Sequence, residues 1–205
     1  MNASLFQSDA EILGAMLESA YEELQFFSNK GKQGRERWVV SQFLERYQLA
    51  FVASELTSPH QQSKTDVRFR DANFQVKEIL TPGSKRSDEV KATYEGLKRA
   101  KKLVEVRTPQ FAYDVPPPTS VYALVSAEAA NLASEQKYRG TKVDLDLLFY
   151  VTRIAASPIR DEEIDSSQLA RLGWRSISCL AGAQATVLVT QPHAPAFLRA
   201  AHVTR

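Results

Sequence analysis

Cysteine is almost absent from this chain, because Cys179 is the one cysteine in 205 residues. A single thiol cannot form a disulfide within the chain, so a reducing compartment is the simpler expectation. The first residues, MNASLFQSDAEI, lack the basic stretch followed by an apolar stretch that defines a signal peptide. No apolar run approaches the ~20 residues that span a bilayer. We therefore expect a soluble, cytoplasmic protein without a membrane partner.

A strong charge of either sign is also missing. The formal net charge is +2, with 24% charged and 43% hydrophobic residues. This weak balance says little about partners, because only clustered charge creates a surface for nucleic acid. No repeat or low-complexity segment divides the chain, and its length suffices for a substantial core. We expect one domain over residues 1–205, with a core region at about 30–105, an N-terminal helix over 8–27 and a C-terminal elaboration over 120–205.

Hydrophobic periodicity predicts alternating helices and strands, which is typical of the α/β class. Ser8 and Glu11 form a capping signature at the start of the first helix. Three consecutive prolines within 114–119 predict a long connection. The predicted helices cover residues 8–27, 34–47, 87–106, 120–139 and 194–203. The predicted strands cover residues 49–56, two runs within 65–80, and then 143–154, 174–179 and 183–191.

The stretch TDVRFRDANFQVKEIL, residues 65–80, predicts a hairpin around which the chain is organised. Apolar and polar residues alternate on both of its strands, and Asp-Ala-Asn between them is turn chemistry. A register with Arg70 opposite Asn73, or one shifted by two residues, keeps the apolar side chains on one face. The pattern thereby gathers three polar residues on the other face: Asp66, Gln75 and Lys77.

An acidic residue interrupts the apolar stripe of the second predicted helix. At about 100° per residue, Glu36 projects close to the centre of that stripe, one turn before Val40. A buried acid needs a partner, a metal ion or the edge of a cleft. Alternatively, Glu36 lies in the first turn of its helix, where an acid suits the helix dipole.

Positive charge is concentrated after the hairpin, where residues 85–107 hold eight Lys and Arg against four Asp and Glu. Most such faces are merely solvated, yet a groove that binds a phosphate backbone needs this composition nearby. The candidate nucleic-acid contacts are Lys85, Arg86, Lys91, Lys98, Arg99 and Lys102. Asp144 and Asp146, at the start of the strand predicted over 143–154, form a rival pair of carboxylates.

A helix bearing an acid, three strands with Asp…Gln-x-Lys on the hairpin, and a further helix follow one another in this chain. This order resembles the restriction-endonuclease-like superfamily, whose signature is PD…(D/E)-x-K. Lys30-Gly31 ahead of Glu36 is similar to the corresponding region of Holliday-junction resolvases. The whole chain resembles a pseudomonad family of uncharacterised candidate endonucleases. The resemblance implies a mixed sheet with an αβββαβ core and additional C-terminal strands and helices.

The same resemblance implies a Mg²⁺- or Mn²⁺-dependent endonuclease that hydrolyses phosphodiester bonds in DNA. Asp66 and Gln75 would bind the cation in such a protein. Lys77 would steady the attacking water and the developing charge on phosphorus, and Glu36 would be a supporting acid. Relatives of the resolvase kind are often homodimers.

Gln75 stands where the signature has Asp or Glu, so the site carries one negative charge fewer. A unit charge pair at ~4 Å and an effective dielectric of ~20 is worth about 4 kcal/mol. Glu55 could supply that charge if its strand lies beside the hairpin. Two other interpretations stay open. One is a catalytically degenerate module that binds nucleic acid or protein on the same fold, and the other is a structural ion pair of Asp66 with Lys77.

Overall fold

The computed structural model describes residues 8–60, 62–107 and 115–203. Asp114, the first residue of the predicted proline-rich connection, lies outside them. Within the described residues five strands form one mixed sheet in the order β1-β2-β4-β6-β7. Their bounds are β1 Val67–Phe69, β2 Ala72–Ile79, β4 Asp146–Val151, β6 Ser176–Ala181 and β7 Gln184–Thr190. Two short strands, β3 Thr119–Ser120 and β5 Ala156–Ser157, pair separately.

The sheet is antiparallel at both ends and parallel in the middle. β1 and β7 run antiparallel to their neighbours, whereas β2, β4 and β6 are mutually parallel. β4 and β6 read as nearly continuous apolar runs in the sequence, which suits strands that are covered on both faces. Both are buried along almost their whole length. The predicted mixed α/β class is confirmed.

The described ranges also contain six α-helices. They are α1 Asp9–Phe27, α2 Lys32–Arg46, α3 Arg86–Arg99, α4 Val121–Ser134, α5 Ser166–Ala170 and α6 Ala196–Val203. None of them is long and apolar enough to cross a membrane. The predicted cap of the first helix is confirmed, because Ser8 and Glu11 form a reciprocal capping box at the start of α1.

Each face of the sheet has its own apolar cluster. Val40 and Phe43 of α2 pack with Phe74 of β2 and Leu148 of β4 on one face. On the other face, α4 packs against the alternate residues of β4 and β6, such as Phe149. Successive residues of a strand point to opposite faces. The side chains of Gln75 and Lys77, which alternate with Phe74, therefore lie on the α4 face.

The hairpin adopts the second of the two registers that its pattern allows. Val67 pairs with Phe74 and Phe69 pairs with Ala72, a shift of two residues from the pairing of Arg70 with Asn73. The turn accordingly consists of Arg70 and Asp71 rather than the predicted Asp-Ala-Asn. A shift of two preserves the face of every side chain, so the apolar face is the predicted one.

The strand predicted over residues 49–56 is wrong. The segment contains a 3₁₀ turn, Ala53–Glu55, and one isolated bridge, Thr57 to Arg68, beside β1. Side chains satisfy its backbone instead of a neighbouring strand. Glu55 accepts a hydrogen bond from the backbone N–H of Val52 at 2.9 Å, and Arg70 donates to the carbonyl of Ala50 at 2.8 Å.

The helix predicted over 87–106 also ends earlier than expected. α3 stops at Arg99, and a 3₁₀ turn, Leu103–Glu105, follows it. Ala100 has an extended backbone, with ψ of 133°. The Glu105 carboxylate then accepts a hydrogen bond from the backbone N–H of Lys101 at 2.8 Å. This local contact favours a separate turn over a continued helix.

The chain divides into two compact units. The first comprises residues 8–35 and 83–107 and is helical, whereas the second, residues 36–82 and 115–203, contains the sheet. In the helical unit the rings of Tyr21 and Tyr94 lie 5.9 Å apart, and the guanidinium of Arg86 lies 5.0 Å from the centre of the Phe27 ring. The single domain expected from the sequence stays a prediction.

Gly31 occupies a tight turn between α1 and α2. Its backbone N–H donates to the carbonyl of Ser28 at 3.1 Å. A Cβ atom at this position would press into the carbonyl oxygens of Gln25 and Phe26. Glycine is therefore required here by close backbone approach. Backbone packing thus explains the glycine of the Lys30-Gly31 pair without any role in chemistry.

We expect Gly31→Ala to lower the free energy of unfolding by about 1–3 kcal/mol, because backbone must move to admit the methyl group. Gly34→Ala is the matched control, since nothing lies within 4 Å of a Cβ atom at that helical position. That control should be neutral or stabilising by up to about 1 kcal/mol. Denaturant unfolding measures both changes, and equal effects of the two substitutions would contradict the steric explanation.

Candidate functional site

Asp66 and Gln75 are in direct contact. Nε2 of Gln75 donates a hydrogen bond to Oδ2 of Asp66, and the backbone N–H of Val76 donates to the same oxygen at 2.9 Å. The backbone N–H of Asp66 donates to the carbonyl of Phe74 at 2.8 Å. Asp66 immediately precedes β1, so its carboxylate extends the contact with β2 beyond the first residue of the short strand.

The amide of Gln75 is held at both ends. Gln75 is only 5% exposed, and its Oε1 accepts a hydrogen bond from the hydroxyl of Tyr138 at 3.3 Å. The amide oxygen, which could bind a cation, thus faces Tyr138, while the amide nitrogen faces Asp66. A half-turn of the amide would exchange these ends. Because a tyrosine hydroxyl can donate or accept, Tyr138 can hold either orientation.

Lys77 lies on the same face of β2 as Gln75, two residues further along the strand. It is half-buried and pairs in register with Phe149 of β4. In the part of the chain that the structure describes, its ammonium group forms no ion pair. The ion pair of Asp66 with Lys77, considered from the sequence, is therefore wrong: the carboxylate binds the Gln75 amide and the Val76 N–H instead.

Glu36 is buried, at 8% exposure, as its position in the apolar stripe predicts. The alternative that it lies in the first turn of its helix is wrong. α2 begins at Lys32, so Glu36 is in the second turn. The stripe of α2 packs on the face of the sheet opposite to Gln75 and Lys77. Glu36 thus lies on one face of the sheet, whereas the side chains of Gln75 and Lys77 lie on the other.

Glu55 does not supply the charge that Gln75 lacks. Its Oε1 forms an ion pair with Nε of Arg70 at 3.2 Å, and its other oxygen accepts from the backbone of Val52. The hydrogen bond from Val52, followed by that from Arg70, lowers the pKa of the Glu55 carboxyl. Glu55 is therefore engaged in holding the turn of the hairpin to the segment before it.

The six candidate nucleic-acid contacts all belong to the helical unit. Five of them are exposed: Lys85, Lys91, Lys98, Arg99 and Lys102. Arg86 is half-buried because its guanidinium stacks on the ring of Phe27. Lys91 and Lys98 are seven residues apart on α3 and so lie on one side of that helix. A solvated cationic face results.

The rival pair of carboxylates does not form a site. Asp144 ends a 3₁₀ turn and is exposed, whereas Asp146 begins β4 and is completely buried. Asp146 binds the guanidinium of Arg175 and accepts from the hydroxyl of Ser176 at 2.8 Å and from the backbone of Asn73 at 2.9 Å. This network ties together the beginnings of three strands, β2, β4 and β6.

Opposing effects act on the pKa of Asp146. Burial raises the pKa of Asp146 above its usual value, and the hydrogen bonds and charge of Arg175 reduce that rise without cancelling it. All the neighbouring groups donate, which suits the ionised carboxylate. A buried ion pair of this kind is costly to break, because the remaining charge is left without compensation.

A hard divalent cation prefers oxygen ligands. The hairpin offers the Asp66 carboxylate, the Val76 carbonyl and, after a half-turn of its amide, the Gln75 oxygen. The Val76 N–H points to Asp66, and the carbonyl of a strand residue points to the same side as its N–H. Among the described residues, no group of three His, Cys, Asp or Glu could hold a metal ion. The donor set is thus one carboxylate with two neutral oxygens, which is the ligand chemistry of a hard cation with little negative charge.

The descriptions of the proteins that resemble this chain differ in the chemistry they suggest. The chain is similar to a solved structure from Pseudomonas aeruginosa strain PAO1, a protein of unknown function described as a member of the monooxygenase superfamily. The two are 26% identical over 95% of this chain and 93% of that chain, with a TM-score of 0.59. No curated protein matches the chain.

The class that the fold defines is thus a mixed α/β protein with helices on both faces of one sheet. Residues 8–205 match the family described as "Putative endonuclease, protein of unknown function (DUF1780)". The match covers nearly the whole chain, so the chain belongs to this family. The family description agrees with a nuclease at the coarse level.

We expect Arg175→Met to lower the free energy of unfolding by about 3–5 kcal/mol, because Asp146 is then buried without its counter-charge. The loss should be greater near about pH 8 than near about pH 5. Removing Arg175 raises the folded-state pKa of Asp146 further, so the folded protein binds the proton more tightly than the unfolded chain. This difference in proton binding stabilises the folded protein at low pH, and that stabilisation is lost as pH rises through the folded-state pKa of Asp146.

The double substitution Asp146→Leu with Arg175→Met is the control. Removing both charges should recover part of the stability and abolish the added pH dependence. Urea unfolding at the two pH values measures both effects. An Arg175→Met protein that is equally stable at both would contradict the buried ion pair.

Proposed function

We propose that this protein is a metal-dependent nuclease that hydrolyses phosphodiester bonds in DNA at the β1–β2 hairpin. The observation that carries the proposal is the contact between Asp66 and both Gln75 and Val76, with Lys77 on the same face as Gln75. The family description independently supports an endonuclease. The monooxygenase description belongs to the structural neighbour, and the carboxylate-amide-lysine arrangement of this hairpin favours hydrolysis.

In this proposal Asp66 and Gln75 hold Mg²⁺ or Mn²⁺, with the carbonyl of Val76 as a further oxygen ligand. When bound, the ion would polarise a phosphoryl oxygen and lower the pKa of a bound water. After a half-turn of the Gln75 amide, the Tyr138 hydroxyl would accept from its nitrogen, and its oxygen would be available to the ion. Binding therefore competes with the hydrogen bond that now joins the amide nitrogen to Asp66.

Lys77 is the proposed stabiliser of the developing charge on phosphorus. A lysine ammonium is a compact, mobile cation, and here it is half-buried, where its charge is less screened than at the surface. Glu36 stays a proposed supporting acid, and because it approaches from the face of the sheet opposite to Gln75 and Lys77, it would act on the site only from a distance. The αβββαβ core order of the restriction-endonuclease-like superfamily belongs to the same proposal, with the segment bridged at Thr57 as a reduced first strand.

The remaining parts of the proposal concern the substrate and assembly. The basic residues of the helical unit are proposed to bind the DNA backbone, with Lys85, Arg86, Lys91, Lys98, Arg99 and Lys102 as contacts. Neutralising several phosphates would make that binding strongly dependent on salt. A homodimer and a cytoplasmic location are part of the same proposal.

One observation favours a second candidate function, a catalytically degenerate module that binds nucleic acid or protein. The amide nitrogen of Gln75, not its oxygen, faces the Asp66 carboxylate. This hydrogen bond satisfies the carboxylate without a cation. Under this alternative the basic residues bind the partner, and the hairpin is only structural.

Calorimetric titration of Mg²⁺ and Mn²⁺, together with cleavage assays on plasmid, branched and single-stranded DNA, tests the proposal. Asp66→Ala should abolish both metal binding and cleavage. Lys77→Ala should abolish cleavage while metal binding stays or strengthens, because a nearby positive charge is removed. Asp144→Ala is the control, since Asp144 is exposed.

Metal binding without cleavage in the wild type would favour the degenerate module. The absence of any metal binding at millimolar concentration would refute the proposed site. Equal loss of binding and cleavage in Lys77→Ala would contradict the separate roles given to Lys77 and Asp66.

Gln75→Glu provides a gain-of-function test. A second carboxylate beside Asp66 should raise the affinity for Mg²⁺ by about tenfold or more, since a nearby unit charge is worth several kcal/mol. Without metal, repulsion between the carboxylates should lower stability at neutral pH, and adding Mg²⁺ should restore it. Gln75→Met is the control, because it fills similar space and supplies no charge. Thermal unfolding with and without Mg²⁺ measures the difference, and indifference of Gln75→Glu to the ion would contradict a site at this position.

A further inference from the structure

A cavity of about 450 Å³ lies at the carboxyl ends of the parallel strands β4 and β6. Val151, the last residue of β4, and Gly182, just after β6, form part of its wall. Its volume falls within the range of roughly 300–1,000 Å³ that is usual for small-molecule sites. Ligands of α/β proteins characteristically bind outside the carboxyl ends of parallel strands. We call it the Arg153 cavity, after the one charged residue among the described residues that line it.

Arg153 is a cation without a counter-charge in the part of the chain that the structure describes. Its side chain is half-buried, and its Nε atom is buried without a hydrogen-bond partner there. A buried donor of this kind loses its hydration and gains nothing in return, and a charged donor loses most. Such a group calls for a partner from outside the protein, and an anion is the partner that suits a guanidinium.

The backbone on both sides of Arg153 is fixed to the end of β2. The N–H of Thr152 donates to the carbonyl of Ile79 at 3.0 Å, and the N–H of Ile154 donates to the hydroxyl of Thr81 at 2.9 Å. Thr81 is itself buried. Arg153 thus extends from a backbone that is already in place, which reduces what a ligand must order when it binds.

Two further features of the wall favour a negative charge. The amide oxygen of Gln184 accepts a hydrogen bond from the backbone N–H of Ile159 at 3.3 Å, so the amide nitrogen is the end that can donate to a ligand. Val121, which also lines the cavity, is the first residue of α4. The first turn of a helix carries partial positive charge from N–H groups that lack partners within the helix. Both features add to the charge of Arg153, on which the site depends.

The rest of the wall is apolar, and besides two valines it consists of small residues: Ala156, Pro158, Ala181, Gly182 and Ala183. A ligand that fits this wall therefore joins one negative charge to an apolar body. A carboxylate carries a single charge and matches the planar fork of a guanidinium. A phosphate monoester carries nearly two charges at neutral pH, of which a single arginine compensates one.

We infer that the Arg153 cavity binds a small organic monocarboxylate. The carboxylate lies against the guanidinium of Arg153 and the amide nitrogen of Gln184, and the hydrocarbon part lies against the alanines and valines of the wall. The cavity shares no lining residue with the proposed hydrolytic site at Asp66, Gln75 and Lys77. The inference therefore goes beyond the proposed nuclease activity and does not depend on it.

Calorimetric titration in EDTA, with hexanoate, benzoate, acetate and inorganic phosphate as probes, tests the inference without any metal-dependent reaction. The tighter of hexanoate and benzoate should bind at least about tenfold more strongly than acetate, because it adds apolar surface to the same charge. Its neutral amide, hexanamide or benzamide, should bind at least about tenfold more weakly than the acid, since it offers Arg153 no charge. The acid should also raise the melting temperature of the wild type.

Two substitutions test the two parts of the site. Arg153→Gln should weaken the tighter acid by about tenfold or more, and without ligand it should melt no lower than the wild type, because a buried charge without a partner is removed. Arg153→Lys keeps the charge without the fork and should be intermediate. Ala183→Phe should narrow the cavity and weaken the same acid. Arg139→Gln and Ala127→Phe are the matched controls at exposed positions and should change nothing.

Asp66→Ala should retain full carboxylate binding, so that failure of this inference and failure of the proposed nuclease are distinguishable. The inference is overturned if neither hexanoate nor benzoate binds the wild type at millimolar concentration. Tighter binding of phosphate than of either acid would overturn the carboxylate as the ligand class. Equal effects of Arg153→Gln and Arg139→Gln would overturn the inference as well.

Discussion

The hydrogen bonds that join the Asp66 carboxylate to β2 determine what the hairpin can do. β1 is only three residues long, and the carboxylate continues its contact with β2 by accepting from Val76 and Gln75. The register is decisive, because a pairing shifted by two residues would place Asp66 opposite Lys77. That alternative would give a simple surface ion pair. The observed register instead gives a carboxylate, an amide and a backbone carbonyl side by side, with the lysine further along.

The register depends in turn on contacts that are distant in the sequence. Arg70 occupies the turn with φ of +51°, a conformation that costs free energy for any residue except glycine. Its guanidinium binds the carbonyl of Ala50 and the carboxylate of Glu55, and it lies 4.7 Å from the centre of the Phe69 ring. These contacts offset the strain and fix the two-residue turn. The segment before the hairpin consequently forms a support for the turn instead of a full strand.

The hydrophobic periodicity of the sequence therefore predicts the helices and strands better than it predicts which of them pair with one another. α1, α2 and the buried strands β4, β6 and β7 follow from local patterns of apolar residues, and the buried position of Glu36 follows from the geometry of one helix. The strand over 49–56 fails because its apolar residues serve a turn held by side chains. Neither register of the hairpin could be preferred from its own pattern, since both keep every side chain on the same face.

The partners of the site are missing from the sequence interpretation for the same reason. Tyr138 reaches Gln75 across 63 positions, and Arg175 reaches Asp146 across 29. No spacing rule links such residues, because the sheet brings them together only after β4 and β6 have paired. A buried acid at a strand start was a usable signal for Asp146, since an uncompensated charge there demands a cation nearby. No comparable signal marked Tyr138.

Tyr138 changes how the substitution of Gln for an acid should be understood. An acid at position 75 would repel Asp66 unless a cation lay between them, so such a site needs metal to be stable. The amide removes that need, because its nitrogen satisfies the carboxylate and its oxygen is satisfied by Tyr138. A cation must then displace a hydrogen bond and rotate the amide, with one negative charge fewer to attract it. Under the proposed function, metal binding would therefore be weak and reversible, because the ion has to break these hydrogen bonds.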